Sequence, residues 1–266
     1  MVLIASDGAR AEIYLHGAQV TSWIPASGSE RFFMSRLSEF QANQPIRGGI
    51  PVIFPQFGIM GPLPLHGLVR LMSWELRETQ TAADAASAIF RLRDTDDSRQ
   101  QWPHPFLAEL TVVVGGDQLA VTLAVTNTGA APFEFTCGLH TYFRIGDIAA
   151  IAVEGLTGLR YCDAADGWVD KQETAPHIQF TGEVNRIYFD APAEARLVEP
   201  NRVTRIHSAG FADTVVWNPA AAKCATMPDL EPDDWRRFVC VEAAAIAKPI
   251  QLEPGERWQG RQTLLA

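Results

Sequence analysis

Leu119-Ala120-Val121-Thr122-Leu123-Ala124-Val125-Thr126 is the stretch that decides the fold. Leu119, Val121, Leu123 and Val125 recur at period two, so an extended chain lines them up on one face, whereas a helix would scatter them around its axis. Just upstream, Leu110-Thr111-Val112-Val113-Val114 is a second apolar, β-branched run, and Gly115-Gly116-Asp117 between the two supplies the residues of a tight reversal. The two runs are therefore predicted to pair as a hairpin.

Similar short runs lie on both sides of this hairpin, at Ala11–Leu15, Ala88–Leu92, Ile151–Val153, Ile187–Phe189, Thr214–Trp217 and Phe238–Val241, with turn residues between them. Many short strands without a βαβ unit predict an all-β sandwich or barrel. Helical signals are few; Pro228 to Arg236, with its proline, acidic residues and Trp235, predicts one short helical turn. The 20 glycines and 17 prolines are dispersed rather than gathered in a linker, and no internal repeat is visible, so residues 1–266 read as a single domain.

A chain with 47% hydrophobic and 20% charged residues has the composition of a globular protein with a sizeable core. Its formal charge of −9 repels nucleic acid and anionic membranes, so neither is expected as a partner, and an anionic ligand must be met by local arginines. The start, MVLIASDGAR, lacks a basic segment followed by a long apolar one, and no window reaches the length of a membrane helix; a cytoplasmic location is expected. Cys137, Cys162, Cys224 and Cys240 show no C-x-x-C pairing and read as reduced thiols.

Four segments carry candidate chemistry. Arg47-Gly48-Gly49-Ile50-Pro51-Val52-Ile53-Phe54-Pro55-Gln56-Phe57-Gly58 places one charge at the head of an apolar stretch. Arg47 is either a surface residue before a buried strand or, with glycines admitting close approach, a ligand for an oxyanion. In Leu63-Pro64-Leu65-His66-Gly67-Leu68-Val69-Arg70, a histidine and an arginine sit four residues apart in apolar surroundings, so two arginines are now available for an anionic substrate. In Cys137-Gly138-Leu139-His140-Thr141-Tyr142-Phe143, the apolar setting can bring His140 into a usable titration range. Cys137 and His140 have the spacing of half a metal site, but no second pair appears, and no metal is expected. In Phe238-Val239-Cys240-Val241-Glu242-Ala243, a carboxylate ends a strand-like apolar run and is either half of a buried ion pair with an arginine or a proton-transfer group. The acidic residues Asp94, Asp96, Asp97, Asp233 and Asp234 lack the pattern of a calcium loop and read as solvated turns.

In this order, R-G-G-I-P-x-x-F-P-x-F-G, L-P-x-H-G-x-x-R, L-H-T-Y-F, the D-T-V-V-W-N-P of Asp213–Pro219, F-V-C-V-E and the closing P-G-E-R-W of residues 254–258 resemble the galactose mutarotase-like superfamily. Within it they are similar to the D-hexose-6-phosphate mutarotase (glucose-6-phosphate 1-epimerase) branch over most of the chain. The resemblance implies a large antiparallel β-sandwich with an open face for a sugar, and interconversion of α and β anomers without metal or other cofactor. It implies His140 as acid and Glu242 as base on opposite sides of the sugar, Arg47 and Arg70 on the phosphate, and His66 on the sugar. Two positions depart from the branch pattern: Leu65 stands where glutamine is frequent, and Asn185 stands where Gly182-Glu183-Val184-Asn185-Arg186-Ile187-Tyr188 would carry aspartate. Asn185 keeps hydrogen-bonding capacity without the charge, so it remains a candidate sugar contact. Two rivals stand beside this reading: an aldose 1-epimerase of unphosphorylated sugars with Arg47 and Arg70 in structural ion pairs, and a non-catalytic carbohydrate-binding module on the same fold. The sequence leaves the oligomeric state open and is compatible with a monomer.

Overall fold

A computed structural model describes all residues, 1–266. The predicted hairpin forms from Phe106–Gly115 and Gln118–Asn127, paired from Phe106 opposite Asn127 to Gly115 opposite Gln118, so that Gly116 and Asp117 alone make the turn. Phe106, Ala108, Leu110, Val112 and Val114 are buried while the residues between them are half exposed, which is the period-two pattern of a strand with one face on a core.

This hairpin lies inside a nine-stranded sheet. Its order is His177–Ile178, Ala152–Glu154, Glu194–Glu199, Arg202–Ala209, Arg257–Leu265, Gln118–Asn127, Phe106–Gly115, Ala86–Arg93 and Glu75–Thr81. An eight-stranded sheet runs through Val169–Gln172, Arg160–Asp163, Val184–Tyr188, Asp213–Asn218, Phe238–Leu252, Phe133–Leu139 and Val52–Ile53, with Tyr142–Arg144 pairing on Phe238–Leu252. Val2–Ile4, Arg10–Tyr14 and Gln19–Ile24 form a third, small sheet. The ladders are antiparallel, and the architecture is a large antiparallel β-sandwich.

The two large sheets share a core of 52 buried residues reaching from Leu3 to Leu264. Buried polar bridges span it: Thr141 Oγ1 donates to Gln262 Oε1 at 2.5 Å, Gln262 Nε2 donates to the Val241 carbonyl, and Asn127 Nδ2 donates to the Leu252 carbonyl. The strand Phe238–Leu252 is buried on both faces along its first half. Val239, Val241, Ala243 and Ala245 point into the inter-sheet core, whereas Phe238 and Cys240 join one apolar cluster on the outer face and Ala244 and Ile246 another. Strand alternation therefore places Glu242 on the outer face, between those two clusters.

Two acidic runs are more ordered than their composition suggested. Asp96–Gln101 is a helix begun by a Thr95–Ser98 capping box, and Asp94 accepts from the Phe106 backbone and pairs with Arg99. Asp96 and Asp97 occupy its first turn, where the helix dipole favours negative charge. Asp234 is buried and accepts from the Glu231 backbone at 2.8 Å; the helical turn expected between Pro228 and Arg236 is the 3₁₀ segment Asp234–Arg236. A second short helix, Ala220–Cys224, had no clear sequence signal. No helix is long and apolar enough to cross a membrane.

Candidate active site

Register across the eight-stranded sheet assembles the outer-face site. Asn185 lies opposite Trp217, Trp217 opposite Cys240, and Cys240 opposite Tyr142, so four neighbouring strands present these residues in one row. Glu242 is two residues beyond Cys240 on the same face, opposite Val215. It is 2% exposed.

His140 stands where the chain leaves Phe133–Leu139 and enters Tyr142–Arg144, its backbone N–H donating to the Pro51 carbonyl. Thr141 turns into the sheet interface, so His140 and Tyr142 both face outward. Their rings stack at 4.7 Å with 10° between planes, and the Trp217 ring meets the imidazole edge-on at 5.7 Å. His140 Nδ1 lies 3.4 Å from Glu242 Oε1. The acid and base expected across the sugar are thus side by side. The buried partner of Glu242 is this histidine, not an arginine.

Arg47 is anchored on two sides. Its Nε donates to Asp229 Oδ2 at 2.9 Å, Nη2 lies at the same distance from that oxygen, and Nη1 donates to the Tyr142 hydroxyl at 2.8 Å. Burial would lower its pKa, but Tyr142 and Asp229 hold it above the ordinary arginine value. The glycines after it serve chain packing rather than approach to an anion. A Cβ at Gly48 would meet the Phe33 carbonyl at 2.3 Å and one at Gly49 the Val20 carbonyl at 2.1 Å, and both residues have positive φ.

His66 sits edge-on to His140, ring centroids 5.3 Å apart, with φ of 65°. Its Nδ1 accepts the Gly58 N–H at 3.2 Å, which fixes the neutral tautomer with its proton on Nε2. Burial, then Arg70 and Arg47, push its pKa down to about 3. Arg70 has no carboxylate partner; Nη2 donates to the Leu65 carbonyl at 2.7 Å, and burial pulls its pKa down to about 10, so it stays charged at neutral pH. Leu65 contributes this backbone oxygen while its side chain is exposed. Asn185 is half-buried on Val184–Tyr188 in the row with Trp217.

Burial raises the pKa of Glu242 well above the carboxylate range. It lowers that of His140 well below the imidazole range, helped by His66, Arg47 and Arg70. Burial therefore favours a neutral imidazole facing a protonated carboxyl. Seven buried side-chain polar atoms in the chain have no hydrogen-bond partner, and four gather here: Arg70 Nε, His140 Nδ1, Asp229 Oδ1 and Glu242 Oε2. Such atoms are costly unless a ligand satisfies them.

Cys137 points into the inter-sheet core, so its C-x-x-H spacing with His140 does not make a half-site. The sulfur near His140 belongs to Cys240; the ligand atoms of His140, Cys240 and Glu242 lie within 4.8 Å of one another. All four cysteines are free thiols. A cavity of about 940 Å³ lies elsewhere: four arginines and five carboxylates line it with no histidine, and it adjoins the site only through Phe33 of the neighbouring apolar cluster. Sequence reading did not single out Tyr142, Trp217 or Asp229 as functional residues. Tyr142 and Trp217 lay inside quoted motifs, whereas Asp229 lies in an acidic loop with no local pattern to mark it.

Two antiparallel sheets with this pair on the outer face of one define a galactose mutarotase-like β-sandwich. A family model described as aldose 1-epimerase matches residues 1–265. A "Putative glucose-6-phosphate 1-epimerase" of Cenchrus ciliaris is 37% identical over 276 aligned positions, covering 100% of this chain and 84% of that protein. A protein of the same description from Escherichia coli is 30% identical, covering 92% and 82%. Among solved structures, a "putative mutarotase" from Salmonella typhimurium superposes with a TM-score of 0.90 at 28% identity, covering 97% of this chain and 86% of that one. The chain belongs to the aldose 1-epimerase family.

Proposed function

We propose that this protein interconverts the α and β anomers of a hexose 6-phosphate, with glucose 6-phosphate the first choice, by acid–base opening and closing of the ring. The observation that carries the proposal is the His140–Glu242 pair, 3.4 Å apart and buried beside Arg47 and Arg70. The descriptions of the Cenchrus ciliaris and Escherichia coli relatives support the substrate. We read residues 1–266 as one catalytic domain, a reading supported by the core that runs from Leu3 to Leu264.

The anomeric hydroxyl and the ring oxygen are both bonded to C1, so adjacent acid and base groups suit the reaction. Glu242 as carboxylate takes the proton of the anomeric hydroxyl while His140 as imidazolium gives one to the ring oxygen. The bond from C1 to the ring oxygen breaks, its electrons stay with that oxygen, and C1 becomes a carbonyl. Rotation about C1–C2 presents the other face, and reversal of both proton movements closes the ring. Imidazolium with carboxylate holds as many protons as imidazole with carboxylic acid, so moving one proton from Glu242 to His140, once Oε1 and Nδ1 close from 3.4 Å to hydrogen-bond distance, produces the reactive form. A nearby phosphate dianion favours the imidazolium. Each such group typically contributes about 10²–10⁴-fold.

Arg70 makes no ion pair, and Arg47 keeps a second N–H on both Nη1 and Nη2 for phosphate oxygens. His66, neutral and protonated on Nε2, donates to a sugar oxygen, and Asn185 borders the sugar from the next strand but one. The second reading, an aldose 1-epimerase of unphosphorylated sugars with Arg47 and Arg70 in structural ion pairs, is not favoured: Arg47 pairs with Asp229, but Arg70 has no ion pair. Exchange NMR separates the two. Faster α/β exchange of glucose 6-phosphate than of glucose at equal concentration supports the phosphate; equal rates support the rival.

A further inference from the structure

We infer that Gln56 is a positioning residue for substrate binding: its side-chain amide pins residues 58–66, the loop whose Gly58 and Leu65 hold His66 and Arg70. This rests on the proposed roles of His66 on the sugar and Arg70 on the phosphate. The loop's own sequence supplies little to fix its middle. Pro62 and Pro64 have no N–H to donate, and Ile59, Met60 and Leu65 are exposed rather than anchored in a core. Between the prolines, Leu63 turns both of its backbone groups to the buried Gln56. Its N–H donates to Oε1 at 2.9 Å, and its carbonyl accepts from Nε2 at 3.0 Å. Nε2 also donates to the Gly58 carbonyl at 3.2 Å, so one amide ties the start of the loop to its middle with both of its N–H groups used.

Gly58 and Leu65 pass this hold to the site. The Gly58 carbonyl accepts the His66 N–H at 2.9 Å, and the Gly58 N–H donates to His66 Nδ1 at 3.2 Å. His66 is thus gripped at backbone and ring by the residue that Gln56 holds. It needs that grip, because its φ of 65° is a left-handed conformation in which a non-glycine residue persists only where its surroundings enforce it. The Leu65 carbonyl, two residues beyond Leu63, accepts from Arg70 Nη2 at 2.7 Å and sets the direction of the guanidinium. Gly61 leaves the space for the amide: a Cβ there would meet Gln56 Oε1 at 2.3 Å and its Cδ at 3.0 Å. A glutamine that only stabilised the fold would change the amount of active protein, whereas one that positions His66 and Arg70 changes KM.

The test follows catalysed exchange by NMR over a range of glucose 6-phosphate concentrations for wild type, Gln56→Met and Gly61→Ala. Hydrogen exchange of residues 57–68 is read by mass spectrometry on the same samples. Met fills the space of Gln56 without its hydrogen bonds; the methyl of Gly61→Ala displaces the amide from an exposed position of the loop, where the core is untouched. In both variants KM is expected to rise roughly 10-fold, as for loss of a hydrogen bond to a charged group, with kcat within about threefold of wild type. Hydrogen exchange at residues 57–68 is expected to quicken by roughly 10-fold or more, while that of the hairpin Phe106–Asn127 stays as in wild type. KM within about twofold of wild type in both variants, or a fall in kcat at unchanged KM, would overturn the inference. Equal wild-type rates on glucose and glucose 6-phosphate would instead overturn the phosphate reading, and the same KM comparison then runs on glucose, where His66 carries the effect.

Discussion

Arg47 Nε and Asp229 Oδ2 meet at 2.9 Å across 182 positions of sequence, while Arg70 has only a backbone carbonyl at 2.7 Å. The two arginines therefore differ in what their removal should do. Arg47→Ala leaves a part-buried carboxylate and the Tyr142 hydroxyl unpaired and should lower stability by about 1–3 kcal/mol in urea denaturation. Arg70→Ala should leave stability near wild type and raise KM for glucose 6-phosphate by roughly 10-fold or more with little change for glucose. Steady-state rates on the two sugars, alongside the denaturation curves, check both outcomes.

His66 should make the fold acid-sensitive above the pH range in which ordinary carboxylates titrate, while Glu242, whose pKa burial raises, works in the opposite sense. Its folded pKa is pushed down to about 3, below the unfolded value near 6.5, so the unfolded chain binds the extra proton first. The stability it contributes is present above pH 6.5 and is lost as pH falls toward 3; between pH 7 and pH 5 the loss is about 2 kcal/mol. His140, shifted in the same direction, adds to the trend. Asn tolerates the positive φ of position 66, so His66→Asn should flatten the pH profile by about that amount, read from urea midpoints at pH 5, 6 and 7.

Chelation should leave catalysis unchanged. His140, Cys240 and Glu242 form a nitrogen, sulfur and oxygen set, but burial and then Glu242 hold the Cys240 thiol well above its ordinary pKa, and a protonated thiol is a poor ligand. Overnight dialysis against EDTA should preserve the exchange rate, and Cys240→Ser should retain it within about tenfold. A loss on dialysis that zinc restores would contradict this account.

The all-β class was legible because alternation at Leu119–Thr126 and in the flanking runs depends only on local chain geometry. Phe238–Leu252 was read only as far as Val241, since Glu242 interrupts the apolar run and the alanines after it carry no strand signal. The meeting of His140 and Glu242 was legible only through resemblance, because it depends on the register between Tyr142–Arg144 and Phe238–Leu252. Asp229 was not legible at all: its partner lies on a distant segment, and nothing in Met227-Pro228-Asp229-Leu230 distinguishes a carboxylate that anchors Arg47 from a solvated one. The helix at Asp96–Gln101 was missed because its capping box ends in Ser98 rather than the usual glutamate or glutamine.

The central claim is that His140 and Glu242 transfer the protons of ring opening. Exchange NMR of α- and β-glucose 6-phosphate, with wild type, His140→Ala and Glu242→Gln at equal folded concentration, tests it most directly. The account predicts catalysed exchange for wild type and a loss of at least about 100-fold in each variant. Wild-type exchange rates in both variants would contradict it.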